Sequence, residues 1–106
     1  MGYSTGHLDG SGDEDPPLSS LAALYDELRG ADGEHTDVSV TDDETGWTLS
    51  AFQNGLVVYE SLSDMSSETT FHMRNVSREQ LIDMWTALAK GQLDVLKTYP
   101  WKPGYR

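Results

Sequence analysis

Three histidines are the side chains in this sequence best suited to metal binding or acid–base chemistry at neutral pH. They are His7, His35 and His72. No two of them have the i, i+4 spacing that places two imidazoles on one helix face. The chain also has no cysteine to complete a zinc site. The sequence therefore predicts neither a metal site nor a cofactor.

A second candidate for chemistry is the acidic run Asp42, Asp43 and Glu44, whose carboxylates could hold a hard cation weakly. Such runs more often form a polar turn, because Asp favours turns. No serine lies in a G-x-S-x-G setting, which a nucleophilic serine of the α/β-hydrolase type would need. The sequence assigns no catalytic residue, which leaves an enzymatic activity unsupported and still open.

The distribution of charge indicates binding of a macromolecule instead. The net charge is −11, and residues 1–46 carry 12 acidic residues against the single base Arg29. This charge argues against nucleic-acid binding through phosphates. It suits either a solubilising surface or a field that attracts a basic protein. No apolar run is long enough for a membrane span, and the first residues lack the basic and apolar regions of a secretory signal, so we expect a cytoplasmic protein.

The hydrophobic periodicity predicts an α+β fold. Apolar residues at helical spacing predict two helices, and alternating residues between the two helices predict four strands. The helix stripes are Leu21, Leu24, Tyr25 and Leu28, then Leu81, Met84, Trp85 and Leu88. We expect a four-stranded antiparallel meander in α-β-β-β-β-α order, with helices packed on one face. Residues 1–15 are predicted to be a disordered acidic, Gly-rich arm, and 16–106 a single domain.

The dipeptide Asn54-Gly55 predicts a two-residue type I′ hairpin turn. That turn pairs Phe52 with Val57 and Ser50 with Tyr59. It places Phe52, Tyr59, His72 and Arg74 together on the sheet face away from the helices. This face is either covered by the aromatic tail 99–105 or a symmetry mate, or it is a recognition surface.

Residues 46–105 resemble small bacterial immunity-type and uncharacterised proteins. The resemblance rests on Gly46-Trp47, on the segment from Asn54 to Tyr59, and on the Val76–Leu81 helix start. It also includes Pro100-Trp101-Lys102-Pro103-Gly104. Immunity-type proteins bind and neutralise a cognate toxin, so the resemblance implies a binding role without catalytic residues.

Two functional hypotheses follow from these patterns. The first is a non-catalytic acidic module that binds a basic protein, in the manner of an immunity-type inhibitor. Its candidate contacts are Asp42, Asp43, Glu44, Phe52, Tyr59, His72 and Arg74. The alternative is a small enzyme or ligand-binding domain in which His72, Arg74 and Tyr59 converge. A weaker third hypothesis, DNA mimicry, requires carboxylates spaced like phosphates. The sequence leaves open whether the protein is a monomer or a homodimer.

Overall fold

The computed structural model describes residues 2–32, 36–61 and 70–104. Within those ranges the chain is an α+β fold with one open antiparallel sheet and three helices. The strands are β1 (Tyr3–Gly6), β2 (Gly12–Glu14), β3 (Asp37–Asp42), β4 (Trp47–Phe52), β5 (Val57–Ser61), β6 (Thr70–Met73) and β7 (Lys102–Pro103). The helices are α1 (Ser20–Asp26), which continues as a 3₁₀ turn over Glu27–Gly30, α2 (Arg78–Ala89) and α3 (Leu93–Leu96). His35 and Tyr105 lie outside the described residues.

The sheet is larger than the sequence predicts. In the described part of the chain it has seven strands in the order β2-β1-β3-β4-β5-β6-β7, so the expectation of four strands is corrected. Two of the additional strands lie in residues 1–15, where a disordered arm is predicted. Strand β1 pairs with β3, and its alternate residues Tyr3 and Thr5 are buried. Backbone pairing to β3 orders this segment although it has few aliphatic side chains.

The hairpin between β4 and β5 differs from the predicted type I′ turn. Ala51 pairs with Val57, and the Phe52 N–H donates to the Leu56 carbonyl, so the connection has three residues. A positive φ is confined to Gly55, whereas a type I′ turn needs it at Asn54 as well. The Gly55 carbonyl accepts a hydrogen bond from the Val76 N–H at 3.1 Å. The register of β4 against β5 thus differs by one residue from the predicted register. The turn that sets it is bonded to the residue just before the N-cap of α2.

Helix α2 covers the middle of the sheet. Its buried residues include Trp85, which is fully inaccessible and donates its indole N–H to the Leu49 carbonyl at 2.9 Å. Helix α1 packs beside it, with Leu21 and Leu24 in the same core cluster. None of the described helices has the length and apolarity needed to cross a membrane.

The start of α2 gives a first testable prediction. Ser77 is the N-cap, and its hydroxyl accepts the Gln80 N–H at 3.2 Å. Replacing it in Ser77→Ala leaves that N–H without its partner, so we expect the free energy of unfolding to fall by about 1 kcal/mol in urea denaturation. Ser77→Asp keeps an accepting oxygen and should stay close to the parent protein. Equal stability of Ser77→Ala and the parent would contradict this helix start.

Candidate functional site

The predicted acidic run divides into one buried and two exposed residues. Asp42 is buried, and its carboxylate accepts the Thr45 hydroxyl at 2.7 Å and the Glu44 N–H at 3.3 Å. These bonds close the β3–β4 turn, so Asp42 has a structural role there. Asp43 and Glu44 are exposed at the same turn. Only these two members of the run are therefore available to a partner.

The structure brings Asp43 together with acidic residues from the first strands. Strand β1 lies between β2 and β3, and the Ser4 hydroxyl donates to the Asp43 carboxylate at 2.9 Å. Glu14 pairs with Ser4 across the β1–β2 ladder, so its side chain lies on the same face of the sheet as the bond between Ser4 and Asp43. We call the exposed carboxylates Asp13, Glu14, Asp15 and Asp43 the acidic edge, because they lie at the outer end of the sheet.

The carboxylates of the acidic edge act on one another. The Asp43 carboxyl, through hydrogen bonding and then through its charge, raises the pKa of Glu14, with smaller contributions from partial desolvation and from Asp15. Like charges held together favour the protonated form. A cation placed beside Glu14 and Asp43 would relieve this repulsion. The edge is therefore suited to receiving a positively charged group.

Sequence reasoning missed Asp13, Glu14 and Asp15 as site residues because it treated them as part of a disordered arm. A signal was present in the alternation of Tyr3 and Thr5 with Ser4 and Gly6, the period of a strand. Pairing with β3 could not be inferred from that pattern alone. The proximity of Glu14 to Asp43 depends on this pairing.

His7 fastens the β1–β2 hairpin to the helical layer. Its Nε2 lies 2.6 Å from an Asp13 carboxylate oxygen, and its Nδ1 lies 2.7 Å from a Glu27 carboxylate oxygen. The other Glu27 oxygen accepts the Leu8 N–H at 3.1 Å. The hydrogen bonds that His7 donates to Asp13 and then to Glu27 raise the pKa of His7, against a smaller opposing effect of burial. The imidazolium is thus favoured in the folded protein.

The His7 contacts predict a pH dependence of stability. A folded-state pKa raised above the unfolded value contributes stability that is complete below about pH 6.5 and is lost as pH rises through the folded-state pKa. We expect His7→Gln to destabilise the protein more at low pH than at high pH, as measured by urea denaturation at pH values near 6 and 9. In a protein that already carries Asp13→Asn, the cost of His7→Gln should differ less between the two pH values. An equal cost of His7→Gln at both pH values would contradict the ion pairing.

Aromatic side chains form a second cluster, on the sheet face that carries the helices. The Trp47 and Tyr59 rings stack with centroids 4.6 Å apart, and Tyr59 stacks on Trp101 at 5.2 Å. The ring centroids of Phe71 and Trp47 lie 6.5 Å apart. Tyr59 is buried within this aromatic stack, and burial, with a smaller effect of Asp42, raises its pKa to about 12. The stack closes one end of the core.

The residues predicted to share an open face are separated. Tyr59 pairs with Phe71 and Val58 pairs with His72, so alternation places Tyr59 and His72 on opposite faces of the sheet. His72 is buried, and its Nδ1 lies 2.9 Å from the Gly104 carbonyl oxygen. Arg74 is exposed beyond the end of β6, and Phe52 is half-buried at the other end of β4 from Trp47. The expected convergence of His72, Arg74 and Tyr59 is not formed, because the turn has three residues instead of two.

The described residues contain no group of three His, Asp or Glu side chains placed to hold a metal ion. A depression of about 410 Å³ beside the β4–β5 turn is lined by residues that include Ala31, Thr36 and Phe52. It includes neither Tyr59 nor His72 among its lining residues. This depression therefore does not unite the groups that an acid–base mechanism would use.

Comparisons with protein-family models, with curated proteins and with solved structures find no match to this chain.

Proposed function

We propose that this chain is a non-catalytic module that binds a basic protein through the acidic edge and acts in the manner of an immunity-type inhibitor. The observation that supports this proposal is the assembly of carboxylates from two separate hairpins at one end of the sheet. Asp13, Glu14 and Asp15 come from the β1–β2 hairpin, and Asp43 comes from the β3–β4 turn. Pairing of β1 with β3 joins the two hairpins in one sheet.

The acidic edge concentrates negative charge at one side of the sheet more than a solubilising surface requires. A surface designed only for solubility intersperses both signs of charge. Here Glu14 and Asp43 are held close enough for one to raise the pKa of the other. At the opposite side of the sheet the exposed residues Arg74 and Lys102 are basic. Such an asymmetric field orients a basic partner toward the acidic edge and raises its rate of association.

A pair of charge variants tests this proposal. Glu14→Gln and Asp43→Asn together neutralise two carboxylates of the acidic edge and leave the His7–Asp13 contact in place. Glu79→Gln and Asp83→Asn together neutralise two exposed carboxylates on α2, with the same change in net charge. Each protein is immobilised and exposed to an extract of the source organism, and each retained basic protein is then purified and its affinity measured at low and high salt.

We expect the parent and the helix variant to bind the same basic protein with an affinity that falls steeply with salt. The edge variant should lose at least about tenfold in affinity, since paired charges across an interface each contribute more than about 1.5 kcal/mol when close. Equal affinity of the two variants would show that the acidic edge is not the binding site. Retention of no basic protein by the parent would overturn the proposed function.

A further inference from the structure

The backbone of β2 leaves one side of the sheet open to pairing. The His7 N–H donates to the Ser11 carbonyl, and the Asp15 N–H donates to the Tyr3 carbonyl. In an antiparallel ladder these bonds recur at every second residue, so Asp13 also faces β1. Gly12 and Glu14 therefore direct their N–H and C=O groups away from the sheet. All three residues of β2 are exposed.

The other border of the sheet, strand β7, offers no outward N–H group within its two residues. Strand β7 has two residues, and the Gly104 N–H donates to the Thr70 carbonyl. The register pairs His72 with Lys102, so Lys102 faces β6 and Pro103 faces outward. Proline has no N–H to donate. The β2 border therefore offers both donors and acceptors to a strand from another molecule, whereas the outward-facing residue of β7 offers only a carbonyl.

Charge decides which strand can pair there. A second copy of this chain would place its own acidic edge against Asp13 and Glu14, and like charges directly opposite are destabilising. A strand rich in Lys or Arg would meet Glu14 on one face of the sheet and, on the other, Asp13, whose carboxylate also contacts His7. Gly12 has no side chain to obstruct its approach. The same charges that prevent self-pairing thus favour a basic partner strand.

We propose that the basic partner adds an extended, Lys- or Arg-rich segment as an eighth strand beside β2, with main-chain hydrogen bonds to Gly12 and Glu14. This inference rests on the proposed function and specifies how the acidic edge binds. Strand addition of this kind obtains affinity from main-chain bonds and specificity from alternate side chains. The lysines or arginines at alternate positions would supply that specificity here.

Two synthetic peptides test strand addition. The first alternates lysine and valine over about eight residues, an ordinary strand length. The second has the same sequence and charge, but the alternate amides on the edge that would face β2 are N-methylated. These amides can no longer donate hydrogen bonds to β2. Binding to the parent protein is measured by calorimetry at low salt, and hydrogen exchange of the Gly12 and Glu14 amides is followed with and without each peptide.

Two variants at one position give the matched control. Glu14→Pro and Glu14→Gln remove the same charge, and only Glu14→Pro also removes the outward N–H. That N–H makes no bond to β1, so its loss breaks no ladder bond within the protein. We expect the unmethylated peptide to bind about tenfold more tightly than the methylated one, from hydrogen bonds of about 1 kcal/mol each. The unmethylated peptide should also bind Glu14→Gln more tightly than Glu14→Pro, because only Glu14→Pro lacks the N–H that would donate to a peptide carbonyl.

The outcomes separate the two proposals. Tighter binding of the unmethylated peptide, with slower exchange of the Glu14 amide, supports strand addition. Equal binding of both peptides overturns strand addition and leaves a purely electrostatic acidic edge. Binding of neither peptide at low salt contradicts the proposed function and this inference together. If Glu14→Pro does not fold, the exchange rates of the parent protein with the two peptides still decide between these outcomes.

Discussion

Replacing Trp85 by alanine should lower the free energy of unfolding by about 3–5 kcal/mol, the cost of truncating a buried aromatic residue. Trp85 is fully buried and is among the largest inaccessible side chains of the core. Its indole N–H also donates to the Leu49 carbonyl at 2.9 Å, which joins α2 to the centre of the sheet. Since small domains have about 5–15 kcal/mol of stability, Trp85→Ala should leave the protein close to unfolding. Urea denaturation followed by far-ultraviolet circular dichroism measures the change.

Trp85→Phe separates packing from hydrogen bonding at the same position. It keeps an aromatic ring and removes the N–H, so we expect a loss of about 2 kcal/mol from the missing bond and the smaller ring. A cost below about 1 kcal/mol for Trp85→Ala would mean that this site is not a packed core position.

The second large effect is expected at Tyr59, and it tests the β4–β5 register. Tyr59→Ser should cost about 3–4 kcal/mol, because the ring is buried between Trp47 and Trp101. Phe52→Ser should cost about 1 kcal/mol, because Phe52 is only half-buried at the turn. Urea denaturation of both variants gives the comparison. In a two-residue turn Phe52 and Tyr59 would share a face, and their costs would be similar.

A spectroscopic measurement supports the Tyr59 comparison independently. Burial raises the pKa of Tyr59 to about 12. We therefore expect an ultraviolet titration at alkaline pH to show a late-ionising phenol that is lost in Tyr59→Phe. Ionisation of all tyrosines near pH 10, before any unfolding, would contradict the buried position of the ring.

The central elements could be predicted from local patterns. The stripe of Leu81, Met84, Trp85 and Leu88 predicts the second long helix, which the structure has at Arg78–Ala89. These signals are read within a few residues of one another, because helical caps and stripes depend on bonds and contacts one turn apart. Alternation along β3 and β4 is similarly local. The α+β class follows from these elements.

The candidate site depended on pairing between distant segments. Val57, Val58 and Tyr59 are all buried, so the pattern within β5 does not show which of them faces the helices. The shift of the β4–β5 turn by one residue decided this and moved Tyr59 into the aromatic stack. Likewise, Ser4 and Asp43 are 39 positions apart along the chain and meet only because β1 pairs with β3.

The amino-acid sequence by itself determined the helices, the strand-forming segments and the concentration of acidic residues before Trp47. Only the tertiary structure decided that Glu14 and Asp43 form one edge and that His72 and Tyr59 lie on opposite faces. The physical reason is that local bonds specify helices and turns, whereas strand order and register depend on long-range backbone pairing and on which side chains the core can bury.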